Sequence, residues 1–176
     1  MKMSVAVEKF WLVMCLTLCV GTIANSQTSK APVKEKPKVK VMTQIAKGTF
    51  EVKMTPMAAE EAVGDAAIGR LGMVKNFAGD LSGNSKGQML GNQSEVVKGS
   101  GGYVAMERFI GTLNGKKGAF ILQHIGTMQG GKFDLSVEVV PDSGSGELTG
   151  ISGKMKIIIE GSKHLYEFEY SLGEAK

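Results

Sequence analysis

The sequence predicts an all-β domain, a closed eight-stranded antiparallel up-and-down barrel, from three observations. Twenty of the 24 glycines fall between Gly64 and Gly153, spaced between short apolar and β-branched runs. Glycine interrupts helices and serves turns and bulges. Eight runs with strand character follow in succession, at 47–54, 67–77, 80–90, 102–113, 118–128, 132–140, 153–160 and 165–172. Between them, Asn114-Gly115-Lys116 and Gln129-Gly130-Gly131 offer the positive φ that tight hairpin loops demand. Neighbours in sequence are then neighbours in space. Closing such a meander removes exposed edges and leaves room inside for side chains or one small ligand. A flattened two-sheet sandwich fits the same strands.

Taken in order, residues 1–26 read as a secretory signal peptide. Lys2 and Lys9 precede the apolar run 10–20, and Ala24-Asn25-Ser26 is a small-residue exit. The run is short of the ~20 residues a spanning helix needs, so no stable membrane span is expected after cleavage. An uncleaved anchor is the alternative. A lipoprotein is disfavoured because Cys15 follows Met14 and Cys19 follows Leu18. Both cysteines lie in this segment, so the mature chain has no disulfide, thiol nucleophile or cysteine metal site. The expected localisation is exported, periplasmic or extracellular.

Residues 27–41 carry five lysines against Glu35, with Pro32 and Pro37 among them. They read as a flexible, solvated basic linker, or alternatively as an electrostatic tether to an anionic membrane. The barrel domain spans 42–176, about 135 residues and enough for one core. Its stretch 56–62 is rich in helix formers but barely two turns long, hence a loop with at most a helical turn.

The chain's net charge of +4 comes from residues 1–41, not from the domain: residues 42–176 hold 14 basic and 15 acidic side chains. A nucleic-acid binder concentrates positive charge on its folded surface, with aromatics if the target is single-stranded. Neither is visible, so no nucleic-acid partner is expected.

The candidate site lies between Gly101 and Gly131. Strand alternation puts Tyr103, Ala105, Glu107 and Phe109 on one face, and Phe120, Leu122, His124 and Gly126 on one face of the next strand. Glu107 and His124 are thus titratable groups among apolar neighbours, able to act as general acid or base on a bound ligand, or to form a satisfied buried pair that sets strand register. Tyr103, Phe109, Phe120 and Leu122 are the candidate ligand contacts. The opposite face, Val104, Met106 and Ile110, is equally apolar and broken only by Arg108. Arg108 is a candidate partner for a ligand carboxylate, or a surface or interface ion pair. Either face can therefore be the covered one, which admits a homo-oligomer.

Other chemistry finds little support. His124 and His164 stand forty residues apart without clustered acids, so no metal is expected. The serines sit in glycine-rich loops without a nucleophile turn, and those loops lack the strand-to-helix setting of a phosphate cradle. Asn92-Gln93-Ser94 is a formal glycosylation sequon of a kind common by chance.

Phe77-Ala-Gly-Asp-Leu81 with Gly83 and Ser85, Tyr103, Glu107-Arg-Phe109 with Gly111, Gly118, Phe120, Gln123-His124-x-Gly126, Val140-Pro141, Ser143-Gly144-x-Gly146-Glu-Leu148 and Gly150-x-x-Gly153 together resemble a bacterial family, domain-of-unknown-function family 3224. Its members look like allene oxide cyclase in barrel architecture. The resemblance implies a barrel over nearly the whole domain and supplies no activity, since fold does not fix function. The signal-like segment and the basic linker depart from it.

The functional expectation is an exported barrel that binds a small, mostly apolar ligand, without a cofactor. One alternative is a cyclase or isomerase using Glu107 and His124. Another is a structural barrel with a filled interior whose outer face oligomerises.

Overall fold

The computed structural model describes residues 42–58 and 67–173. The signal-peptide and linker readings lie outside the described residues. Nine strands follow in order: β1 (Gln44–Met57), β2 (Gly69–Gly79), β3 (Leu81–Gln93), β4 (Gly101–Leu113), β5 (Lys116–Gln129), β6 (Lys132–Val139), the two-residue β7 (Ser145–Gly146), β8 (Ile151–Glu160) and β9 (Lys163–Leu172).

Eight of them form the wall of a closed antiparallel barrel, β1-β2-β3-β4-β5-β6-β8-β9 and back to β1. The unbroken ring of pairings decides for a barrel over a sandwich. The short β7 lies against β5 at Gly118 and Ala119. All eight expected strands are present. The β4–β5 hairpin turns on Asn114 and Gly115 at φ 48° and 80°, and β5–β6 turns on Gly130 and Gly131 at φ 55° and 84°. These paired positive values match the twist of the flanking strands.

The helix-like stretch begins differently from expectation. Pro56 and Met57 belong to β1, paired with Leu71 and Arg70, while residues 59–66 lie outside the described residues. Beyond Phe50, β1 has only β2 as a registered neighbour among the described residues. Such an edge tolerates proline's missing N–H.

Strand alternation divides the interior into levels. At the end carrying the β2–β3 and β4–β5 turns, a chain of rings fills the bore: Phe77 to Phe109 at 5.6 Å, Phe109 to Phe120 at 5.1 Å, Phe120 to Phe168 at 5.6 Å and Phe168 to Tyr170 at 5.4 Å. Each fully buried aromatic of this kind contributes about 1.5–3 kcal/mol by leaving water. Tyrosine hydroxyls lock this end. Tyr166 Oη accepts the Leu81 N–H at 2.7 Å, and Tyr170 Oη accepts from Asn114 Nδ2 at 2.9 Å while donating to Gln44 Oε1 at 2.8 Å.

The wall is uneven. β4 is paired along its whole length on both sides, whereas β6 and β8 share one registered pair, Glu138 with Lys154. Leu135, Val137 and Met155 line a cleft at this seam.

Candidate functional site

Midway along the bore, four adjacent strands each contribute one buried polar side chain. Lys75 on β2, Ser85 on β3, Glu107 on β4 and His124 on β5 are 1–3% exposed. Each sits where period-two alternation turns it inward: Lys75 lies between Met73 and Phe77, Ser85 follows Leu81, and Glu107 and His124 take the inward one of the two facings the sequence left open.

Glu107 is the hub. Lys75 Nζ donates to its Oε2 at 2.6 Å and Ser85 Oγ to its Oε1 at 2.7 Å. His124 Nε2 stands 3.1 Å from Oε2, within electrostatic reach, yet it makes no aligned hydrogen bond among the described residues. Burial, the largest influence, pushes the Glu107 carboxyl up; the close His124, the Lys75 ammonium and the Ser85 hydroxyl together outweigh it and hold the group down at about 2. The carboxylate is thus ionised across the physiological range. The Lys75 ammonium also stands 4.9 Å from the Phe50 ring centroid and 6.0 Å from that of Phe77, so aromatic faces complete its surroundings.

One step nearer the opposite end, the interior changes character. A cavity of about 370 Å³ opens there, lined by Leu71, Met89, Tyr103, Met128 and Phe133, with Gly69, Gly91 and Gly126 thinning the wall. The Tyr103 ring lies across Gly126, where a Cβ would stand 2.2 Å from Tyr103 Cε1, and it stacks on Phe133 at 6.4 Å and 18°. Burial, and then the negative charge of Glu107, raise the Tyr103 phenol above its ordinary value. It is therefore a neutral hydrogen-bond donor at the junction of cavity and cluster.

The expected site residues separate accordingly. Glu107 and His124 come together, inward and buried. Tyr103 lines the mouth cavity. Phe109, Phe120 and Leu122 face inward but are 0% exposed, packed into the core instead of bordering free space. Arg108 departs from the ligand-contact reading: it is exposed on the outer face, because the alternation that turns Glu107 inward turns its neighbour outward. Lys75 and Ser85 were missed, although a lysine at every-second-residue spacing between Met73 and Phe77 was a readable signal. Among the described residues, no three His, Cys, Asp or Glu side chains group as metal ligands do.

Comparison with known proteins agrees with this architecture. The model of a family described as protein of unknown function (DUF3224) matches residues 46–170. A crystal structure at 1.84 Å of a protein of unknown function from the same family, from Shewanella oneidensis MR-1, is similar at 44% identity and a TM-score of 0.69, covering 76% of this chain and 100% of that one. No curated protein matches. Neither finding bears on the likeness to allene oxide cyclase. With the family model spanning the barrel from β1 to β9, the chain belongs to the DUF3224 family.

Proposed function

We propose that the barrel binds a small, mostly apolar molecule in its mouth, outside the cytoplasm if residues 1–26 act as the export signal they resemble. The observation that carries this reading is the cavity of about 370 Å³ between Leu71, Met89, Tyr103, Met128 and Phe133. Its size falls at the lower end of ligand pockets, and mostly apolar walls with a few polar groups, here Tyr103, Asn92 and Gln93, are what such pockets use. Tyr103 would donate to a polar atom of the ligand, and three wall glycines leave its body room.

The same geometry weighs against the cyclase- or isomerase-like alternative. A general base works best with a pKa near the operating pH. Glu107, held at about 2 by Lys75, Ser85 and the close His124, is far below that and acts better as an anchor for Lys75 than as an acceptor of substrate protons.

The test is saturable binding of the apolar fluorophore anilinonaphthalene sulfonate, together with mass spectrometry of small molecules released on denaturation. The plugging variant is Gly69→Leu. A Cβ at Gly69 meets nothing nearer than Gly91 O at 3.6 Å, so the longer side chain enters the cavity without displacing backbone. Binding by the parent protein and its loss in Gly69→Leu are expected. Equal probe binding by both, with no released molecule, would refute the reading.

A further inference from the structure

The outer surface of the barrel is divided by charge. Glu107 is the only acidic residue on β2, β3, β4 and β5, and it faces inward. The outward positions of these strands carry Arg70, Lys86 and Arg108 among exposed apolar side chains: Val74, Leu90, Val104, Met106, Ile110 and Ile125 are 39–55% exposed. Register makes the patch continuous, since Leu90 lies opposite Val104 and Val104 opposite Ile125. The other half of the wall is different. There, lysines alternate with acids in ion pairs such as Lys47 with Glu167 at 2.7 Å and Lys154 with Glu138 at 2.9 Å.

The loop between β3 and β4 extends this half. Val96 is 93% and Val97 52% exposed, between the exposed Glu95 and Lys98. The Ser94 hydroxyl accepts both valine N–H groups, at 3.3 and 3.0 Å, which holds the two side chains at the tip.

We propose that the outer face of β2–β5, with the β3–β4 tip, docks on an anionic lipid bilayer. A strand face of apolar side chains with interspersed cations and no outward carboxylate matches acyl chains below anionic headgroups, and at the tip Lys98 offsets Glu95. A second copy is a poorer match. Packing the same faces together sets Arg70, Lys86 and Arg108 against their equivalents, and the opposite half offers no net negative charge. The inference rests on the proposed function in one respect: a bilayer is where an apolar ligand for the mouth is held.

The barrel segment 42–176 suffices for the test, because the crystallised relative is matched over its entire length by 76% of this chain and so folds at that extent. It is sedimented with vesicles of phosphatidylcholine alone, or of equal parts phosphatidylcholine and phosphatidylglycerol. We expect partition onto the anionic vesicles only. Arg108→Gln and Lys86→Gln should each lower it about fivefold, near the worth of one basic residue at an anionic surface. Val96→Asp and Val104→Asp should abolish it, and Ile45→Asp, on the other half, should leave it unchanged. The glutamine variants keep the test valid if an aspartate variant fails to fold. Equal binding to neutral vesicles, no binding, insensitivity to the face variants, or a solution dimer that Val104→Asp dissolves would each overturn the proposal. Gly69→Leu should still bind vesicles, so failure of ligand binding and failure of docking are read separately.

Discussion

Lys75 Nζ lies 2.6 Å from Glu107 Oε2, with the two side chains 4% and 0% exposed. Attraction between buried charges offsets their desolvation only when the geometry is good and the remaining lone pairs are satisfied. Ser85 on the second oxygen and two aromatic faces near the ammonium meet that condition. Glu107→Leu leaves an unpaired buried cation and should cost about 3–5 kcal/mol. Adding Lys75→Met should recover part of the loss. Urea unfolding of the parent, both single variants and the double variant gives the coupling; purely additive costs would show that the pair is not a unit.

The same carboxylate should give stability a distinct acid limb. Glu107 titrates at about 2 when folded against a reference of 4.5, so between these values the unfolded chain binds more protons and stability rises with pH. The contribution is complete above about pH 4.5, falls as pH drops and is gone below about 2. Its full size is about 3 kcal/mol. Unfolding free energy measured from pH 6 downward should show this slope, and Glu107→Gln should lack it.

Tyr103 and Gly126 form a ring-on-glycine pair. Gly126→Ala places a methyl 2.2 Å from Tyr103 Cε1 and should destabilise by about 1–3 kcal/mol, a typical overpacking cost. In a Tyr103→Leu background the penalty should shrink, because a shorter side chain leaves Gly126 uncovered. A thermal-unfolding cycle over the four proteins measures this; an unchanged penalty would mean the methyl meets backbone instead.

The seam should open first. β6 and β8 share a single registered pair, whereas β4 is laddered on both sides, so amide hydrogen exchange should be faster in β6 and β8 than in β4. Uniform protection around the wall would contradict this.

Much of the architecture was legible because its causes are local. Asn114-Gly115 and Gly130-Gly131 announce their hairpins through φ, and strand alternation sets Glu107 and His124 on the faces they share with Phe109 and Phe120, though not which face is inside. What escaped notice depends on contacts distant in sequence. Lys75 reaches Glu107 from thirty-two residues away, and nothing near Lys75 announces a carboxylate. Phe109 and Phe120 read as pocket lining because sequence shows which way a side chain points but not whether Phe77 and Phe168 already fill the space before it. Residues 56–62 read as a loop with at most a helical turn, since the one-sided pairing that admits Pro56 into β1 is set by where β9 begins.

Tyr170 on β9 stands in register with Gln44 on β1, so the first and last strands of the wall lie side by side. The order of the chain is then separable from the shape of the barrel. A short bridge between these strands, with new ends cut in the segment between β6 and β8 where the wall is least knitted, would produce a permuted sequence with the same eight neighbours. Such a protein would move the break from the best-sealed end to the weakest join, leaving Lys75, Ser85, Glu107 and His124 on one uninterrupted run of polypeptide.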